Sequence, residues 1–209
     1  MKKRLIIGFL FTSLMLLVSS CASPSNSSGV KESPSSQASD GISYEDVENP
    51  QIINETKYYK LLQGDNYTYY YYIYNDDNEV VDEGGYGRIP ALSMANDTLV
   101  KLRIQAGTGI GTSSTRYFNT EKNVLSPWFS SVYAETGEVI VMSDYGKLIV
   151  QNIFDRTAYY REFTEFNSEL ANTVEPFVNV EFVSDGNQII VTYLSGEDFV
   201  ETTETIVLN

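Results

Sequence analysis

Apolar and polar residues alternate with a two-residue period over much of the chain beyond about residue 50. Val100, Leu102, Ile104 and Ala106 fall on one side of an extended chain, with Lys101, Arg103 and Gln105 on the other. Val178, Val180 and Phe182 oppose Asn179 and Glu181 in the same way, and Ile189, Val191 and Tyr193 form a third row. Successive side chains of a strand point to opposite faces, so each row predicts a strand with one buried face. Tyr, Ile, Val, Phe and Thr are frequent here, and these residues suit strands.

Turn signals fall between the rows: Asp76-Asp77-Asn78, Asn96-Asp97, Glu121-Lys122-Asn123, Thr136-Gly137, Asp144-Tyr145-Gly146, Asp185-Gly186-Asn187 and Ser195-Gly196-Glu197-Asp198. Short strands joined by such turns predict consecutive antiparallel hairpins, roughly nine to eleven strands in about 160 residues. The expectation is an all-β antiparallel meander forming a sandwich or a barrel-like domain. A small β-propeller is the alternative. The segments near 72–81, 117–125, 133–141 and 181–191 each run strand, polar turn, strand, and blades of about 40–45 residues would allow nearly four. One stretch dissents. Tyr159, Phe163, Phe166 and Leu170 are spaced as on one helix face, so a short helix near 157–170 competes with a strand through 159–166.

The first 20 residues have another character. Lys2, Lys3 and Arg4 precede an apolar run of 14 residues, 5–18. That run is too short to cross a hydrocarbon core of about 30 Å but suits the h-region of an export signal. It leads into Leu17-Val18-Ser19-Ser20-Cys21, which contains the only Cys of the chain. This motif resembles a bacterial lipobox, and the body is similar to uncharacterised bacterial surface lipoproteins. The resemblance implies a diacylglyceryl group on the thiol, cleavage before Cys21 and palmitate-type acyl chains in the cell membrane. The protein is then expected on the extracytoplasmic face of the envelope, attached through Cys21. Each buried methylene contributes about 0.8 kcal/mol, so two acyl chains hold far better than one.

Residues 22–43 are rich in Ser, carry Pro24, Gly29, Pro34 and Gly41, and hold almost no large apolar group. Such a segment cannot offset its ordering entropy by burial. The expected organisation is a signal peptide over 1–20, the lipidated Cys21 with a tether over 21–49, and one β-domain over 50–209. A tether of that length reaches roughly 30 Å.

Composition removes several function classes. The 209 residues contain no His and one Cys, with 14 basic and 28 acidic residues and a net charge of −14. No Ser-His-Asp or Cys-His centre can be built, nor a His or Cys-rich metal site. Loss of residues 1–20 takes three basic residues and no acidic one, moving the charge from −14 to −17. Without Lys/Arg clusters, this charge argues against nucleic-acid binding. No cofactor is expected.

Four segments carry candidate chemistry. In 67–74, alternation puts Tyr67, Tyr69, Tyr71 and Ile73 on one side and Tyr70, Tyr72 and Tyr74 on the other. The outer row could form an aromatic platform for sugar rings or peptide, against ordinary cross-strand packing as the alternative. The glycine-rich 105–112 lacks the following helix or Lys of a phosphate loop and reads as a loop. Asp76, Asp77, Glu79, Asp82 and Glu83 gather around one hairpin, and Glu197 and Asp198 sit in another turn with Glu201 and Glu204 following. Two of them at the right separation could run glycoside hydrolysis, but protection of a sheet edge by negative charge is the simpler account. The same hairpin lacks EF-hand spacing, so no metal is assigned. Trp128, the only Trp, suits core packing or ligand contact. The resulting expectation is a lipid-anchored, non-catalytic domain that binds envelope glycan, peptide or a partner protein, with Tyr70, Tyr72, Tyr74 and Trp128 as ligand-binding candidates. The alternatives are a carboxylate-based glycoside hydrolase and a structural subunit of a surface complex.

Overall fold

The computed structural model describes residues 47, 49–105, 107, 113–144, 146–164, 166, 176–183 and 186–208. All belong to one unit running over 33–209. The expected signal, Cys21 and the tether up to 46 lie outside the described residues.

Strands adjacent in sequence pair antiparallel within each sheet, and the meander is divided into four sheets. The first holds β1 (Gln51–Glu55), β2 (Tyr59–Gln63), β3 (Tyr69–Tyr74) and β4 (Val80–Tyr86). The second holds β5 (Ala91–Asn96), β6 (Leu99–Gln105), β7 (Ser113–Asn119) and β8 (Val124–Leu125), with β9 (Phe129–Ser130) also paired to β7. The third holds β10 (Val132–Thr136), β11 (Val139–Asp144), β12 (Lys147–Asn152) and β13 (Tyr160–Phe163). The fourth holds β14 (Phe177–Phe182), β15 (Gln188–Ser195) and β16 (Val200–Val207). The all-β expectation holds, and among the described residues no sheet closes into a barrel.

Burial explains why the meander breaks into four. Tyr59, Leu61, Tyr71 and Ile73 of the first sheet pack on Leu92, Val100, Leu102 and Phe118 of the second. On the opposite face of the second sheet, Leu99, Tyr117 and Phe129 meet Val132 and Ile140 of the third. On the far face of the third, Val141, Leu148 and Val150 meet Val180, Ile189 and Val191 of the fourth. Each sheet therefore packs on the next in chain order. The two middle sheets are covered on both faces. Leu99–Val100 and Ile140–Val141 are consecutive residues buried in opposite directions. This corrects the expectation of one buried face per strand. The sixteen strands among the described residues exceed the expected nine to eleven, and two of them, β8 and β9, are two-residue pairings that leave no periodic trace.

Local chemistry fixes the hairpins. The Asn75 carboxamide oxygen accepts from the backbone N–H groups of Asp77 and Glu79, and its NH2 donates to Glu79 Oε2. This Asx turn closes β3 onto β4. Gly137 has φ +54° between Thr136 and Val139, which pair directly. Glycine takes that left-handed conformation at no steric cost.

The short helix expected near 157–170 is absent from the described part of that stretch. Residues 156–158 form a turn, and Tyr160–Phe163 is β13, paired to β12. Tyr159 and Phe163 are an even number of residues apart, so a strand also turns them to one side. With Phe166 they pack on the core between the third and fourth sheets. Val47, within the segment expected as tether, is buried, and its Cγ1 lies 3.0 Å from where a Cβ on Gly64 would stand.

Candidate functional site

The Tyr row of β3 is not an open platform. Tyr71 and Ile73 face the second sheet, as the alternation requires. Tyr72, on the other face, is only 2% exposed, with Tyr70 and Tyr74 half-buried beside it. The rings of Tyr72 and Tyr74 stack at 6.5 Å, and Tyr70 covers Gly64 closely enough that a Cβ there would lie 2.8 Å from its ring. Trp128 is half-buried against the core of the first two sheets, with the Arg116 guanidinium 5.4 Å from its ring centre. The row and the Trp do not come together in one patch. Of the glycine-rich segment, only residues 105 and 107 are described before β7.

The acidic hairpin resolves into individual partnerships. Asp76 pairs with Lys57 at the surface, and Glu79 holds Asn75. Asp82 turns inward from the edge strand β4. It accepts from Arg116 Nη1 at 3.1 Å and from the Tyr71 hydroxyl at 3.3 Å. Arg116 also donates Nε to the Ser126 carbonyl at 3.0 Å. Burial pushes the Asp82 carboxyl above the ordinary carboxylate range, and the Arg116 charge partly offsets that shift. Burial, reinforced by the Asp82 charge, raises the Tyr71 phenol, whose ring stacks on Tyr86 at 6.0 Å. The outcome is a polar clasp between the first and second sheets.

A second polar cluster lies on the other face of the second sheet. Lys101 and Arg103 of β6 face the third sheet, on the same side as Leu99, rather than open solvent. Across the ladder, Arg103 pairs with Ala91 of β5 and Thr115 of β7, and Lys101 pairs with Ser93 and Tyr117. Glu135 of β10 closes the cluster. Its Oε1 accepts from Lys101 Nζ at 2.5 Å and its Oε2 from the Tyr117 hydroxyl at 3.3 Å. Burial, then the nearby Glu135 charge, raises the Tyr117 phenol, and Arg103 opposes that effect.

Above these side chains lies a groove of about 330 Å³, lined by Ala91, Ser93, Met94, Ala95, Lys101, Arg103 and Glu135. The small residues of β5 create it, because Ala91, Ser93 and Ala95 leave space over the strand where larger residues would fill it. Its volume is at the lower end of the range for small-molecule sites. Alternation alone places Lys101 and Arg103 on the side away from the core and misses this site. The available signal is two basic residues in alternation beside a strand whose alternate positions are all small. Among the described residues, no group of three or more His, Cys, Asp or Glu converges to hold a metal ion.

No family model matches the chain, and no curated protein matches it. Among solved structures it is similar to the crystal structure of the computationally designed Ika4 protein, with a TM-score of 0.39 and 11% sequence identity, covering 74% of this chain and 88% of that chain.

Proposed function

We propose that this chain is a lipid-anchored, extracytoplasmic binding domain that acts without catalysis, taking its ligand in the groove between the second and third sheets. The address rests on the lipobox-like motif ending at Cys21, and the tether gives the β-domain reach beyond the membrane surface. The observation that carries the binding reading is the groove itself, floored by small residues and edged by Lys101, Arg103 and Glu135. Envelope glycan and peptide are the ligand classes such a location offers.

A carboxylate-based hydrolase would need two carboxylates facing one substrate, about 5–9.5 Å apart. Asp82 and Glu135, the inward carboxylates of the two polar clusters, contact opposite faces of the second sheet through Arg116 and Lys101. That arrangement favours the binding reading. Cys21→Ser and cell fractionation test the anchor. The variant is expected to leave the membrane fraction, and unchanged sedimentation with the envelope sinks the lipid attachment. Titration of the intact protein with solubilised envelope glycan and stem peptides tests the groove, with chemical-shift changes expected at Ser93, Lys101 and Arg103. A partner protein that alone binds, away from these residues, would favour the structural-subunit alternative.

A further inference from the structure

We infer that the groove between the second and third sheets is a carboxylate-binding site, with Arg103 as the residue that grips the ligand. This deepens the binding reading above and rests on it.

Charge points there first. Lys101 is matched by Glu135, so the pair contributes little net attraction to the groove. Arg103 is half-buried and makes no ion pair among the described residues. The chain carries 28 acidic against 14 basic residues, so a partner carboxylate was abundantly available to it. A partly desolvated cation without a counter-ion is costly, and a ligand carboxylate supplies the missing charge. The planar guanidinium fork presents parallel N–H groups that match the two oxygens of a carboxylate.

An orphaned hydroxyl points the same way. Thr115 Oγ1 is fully buried and has no hydrogen-bond partner among the described residues. Thr115 pairs directly with Arg103 across β6 and β7, so both side chains lie on the same face of the sheet. A hydroxyl oxygen can accept one N–H of the guanidinium, leaving the remaining donors for the ligand. In the structure that acceptor is unfilled, so Thr115 lies on the same face as Arg103 without holding it by a hydrogen bond.

Glu135 sets the limit on the ligand. Both its oxygens are engaged, by Lys101 and Tyr117, so its charge is held at the groove wall. A second carboxylate there would meet like charge. The site therefore fits one carboxylate at Arg103, with a neutral, polar body lying over Ala91, Ser93 and Ala95. An acidic sugar and a peptide C-terminus both present that chemistry.

Two matched pairs of probes test the inference on the full-length protein in detergent micelles. N-Acetylmuramic acid is compared with N-acetylglucosamine, which lacks the lactyl carboxylate. N-Acetyl-alanyl-alanine is compared with its C-terminal amide. The acid of at least one pair is expected to shift the Arg103 Nε–H signal and the β5 amides, while its neutral partner does not, and the responding pair identifies the source. Arg103→Met is expected to weaken that binding by roughly tenfold or more with the thermal transition retained. Should that variant fail to fold, the acid-against-neutral comparison on the unaltered protein decides alone. Equal response to acid and neutral partners overturns the carboxylate assignment and leaves the groove as a binding site. Silence from both acids at millimolar concentration, while envelope glycan binds, also overturns it and spares the binding reading. Silence from all probes and from glycan removes both.

Discussion

Arg116 of β7 donates to Asp82 of β4 at 3.1 Å, across the interface between the first two sheets. Asp82 also receives the Tyr71 hydroxyl, while Arg116 also reaches the Ser126 carbonyl and Trp128. One largely buried ion pair therefore links β3, β4, β7 and the segment carrying the only Trp. Its strength comes from mutual satisfaction: each charge has more than one partner, which a largely desolvated pair requires.

Removing one side of this clasp should be costly. Asp82→Ala leaves the buried donors of Arg116 and Tyr71 without an acceptor, which the carboxyl group supplies in either protonation state. A loss of about 2–3 kcal/mol in chemical denaturation is expected. Combining it with Arg116→Met should cost much less than the sum of the single changes, because the uncompensated charge is gone. Strict additivity would mean that the two groups do not act as a pair.

Asp82 also predicts a pH dependence. Its carboxyl is raised above its ordinary 3.8 by burial, so the folded state holds the proton more tightly than the unfolded chain. Its contribution to stability is fully present below the unfolded value and is lost as pH rises through the folded one. Relative to Asp82→Asn, the unaltered protein should therefore gain stability as pH falls from neutrality towards 3.8. Asp76 and Glu162 have the opposite sign. Their surface partners Lys57 and Lys147 hold them below their ordinary values, so their contributions fade on acidification. Denaturation midpoints of the two proteins across this range, compared as a difference, isolate the Asp82 effect. A constant difference would contradict the assigned shift.

The alternation of Val100, Leu102 and Ile104 was enough to place β6, and the Asx and glycine turns were enough to mark the hairpins. What alternation does not encode is the partner of the second face. Lys101 and Arg103 look the same in sequence whether they meet water or a sheet carrying Glu135. Tyr70, Tyr72 and Tyr74 likewise look like a surface row, because a phenol suits both a rim and an interior. The spacing of Tyr159 and Phe163 left helix and strand both open for a related reason: a four-residue interval returns to the same side in a helix and in a strand. The groove is made by the absence of side-chain volume at Ala91, Ser93 and Ala95, and an alternation of small residues does not encode what stands opposite it.

Two glycines should respond to alanine for different reasons. Gly137 has φ +54° with nothing within 4 Å of the position a methyl would take, so Gly137→Ala is a backbone effect alone. It should cost about 1–2 kcal/mol, and Gly137→Asn clearly less. Gly64→Ala would push a methyl to 2.8 Å from the Tyr70 ring and 3.0 Å from Val47 Cγ1. Overpacking of about 1–3 kcal/mol is expected, relieved in part by Val47→Ala in the same chain. Full independence of the two sites would show that Val47 does not pack there. Thermal unfolding of these variants and of Val47→Ala alone provides the comparison.

Thr115→Val should be tolerated. The hydroxyl is fully buried and has no partner among the described residues, so the unliganded protein has already met its desolvation cost without a hydrogen bond in return. Replacing it with a methyl of similar shape should leave stability unchanged or raise it by about 1 kcal/mol. A loss of comparable size in urea denaturation would mean that the hydroxyl has a partner in solution.

Alkali should unfold the protein through its buried phenols. Burial raises Tyr71, Tyr86 and Tyr117 above the ordinary 10.0, and the carboxylates of Asp82 and Glu135 add to the shift. The folded state thus keeps these protons at a pH where the unfolded chain releases them. Their stabilising contribution is complete below 10.0 and declines once pH exceeds that value. Phenolate absorbance should consequently rise in two stages: a gradual one from accessible tyrosines, then a cooperative one that coincides with loss of the β-sheet circular dichroism signal. Tyr117→Phe should reduce the cooperative stage, because one buried phenol is removed while its ring packing against Phe129 is kept. A single gradual rise with the sheet signal intact would mean that these phenols ionise in place, which their burial beside Asp82 and Glu135 forbids.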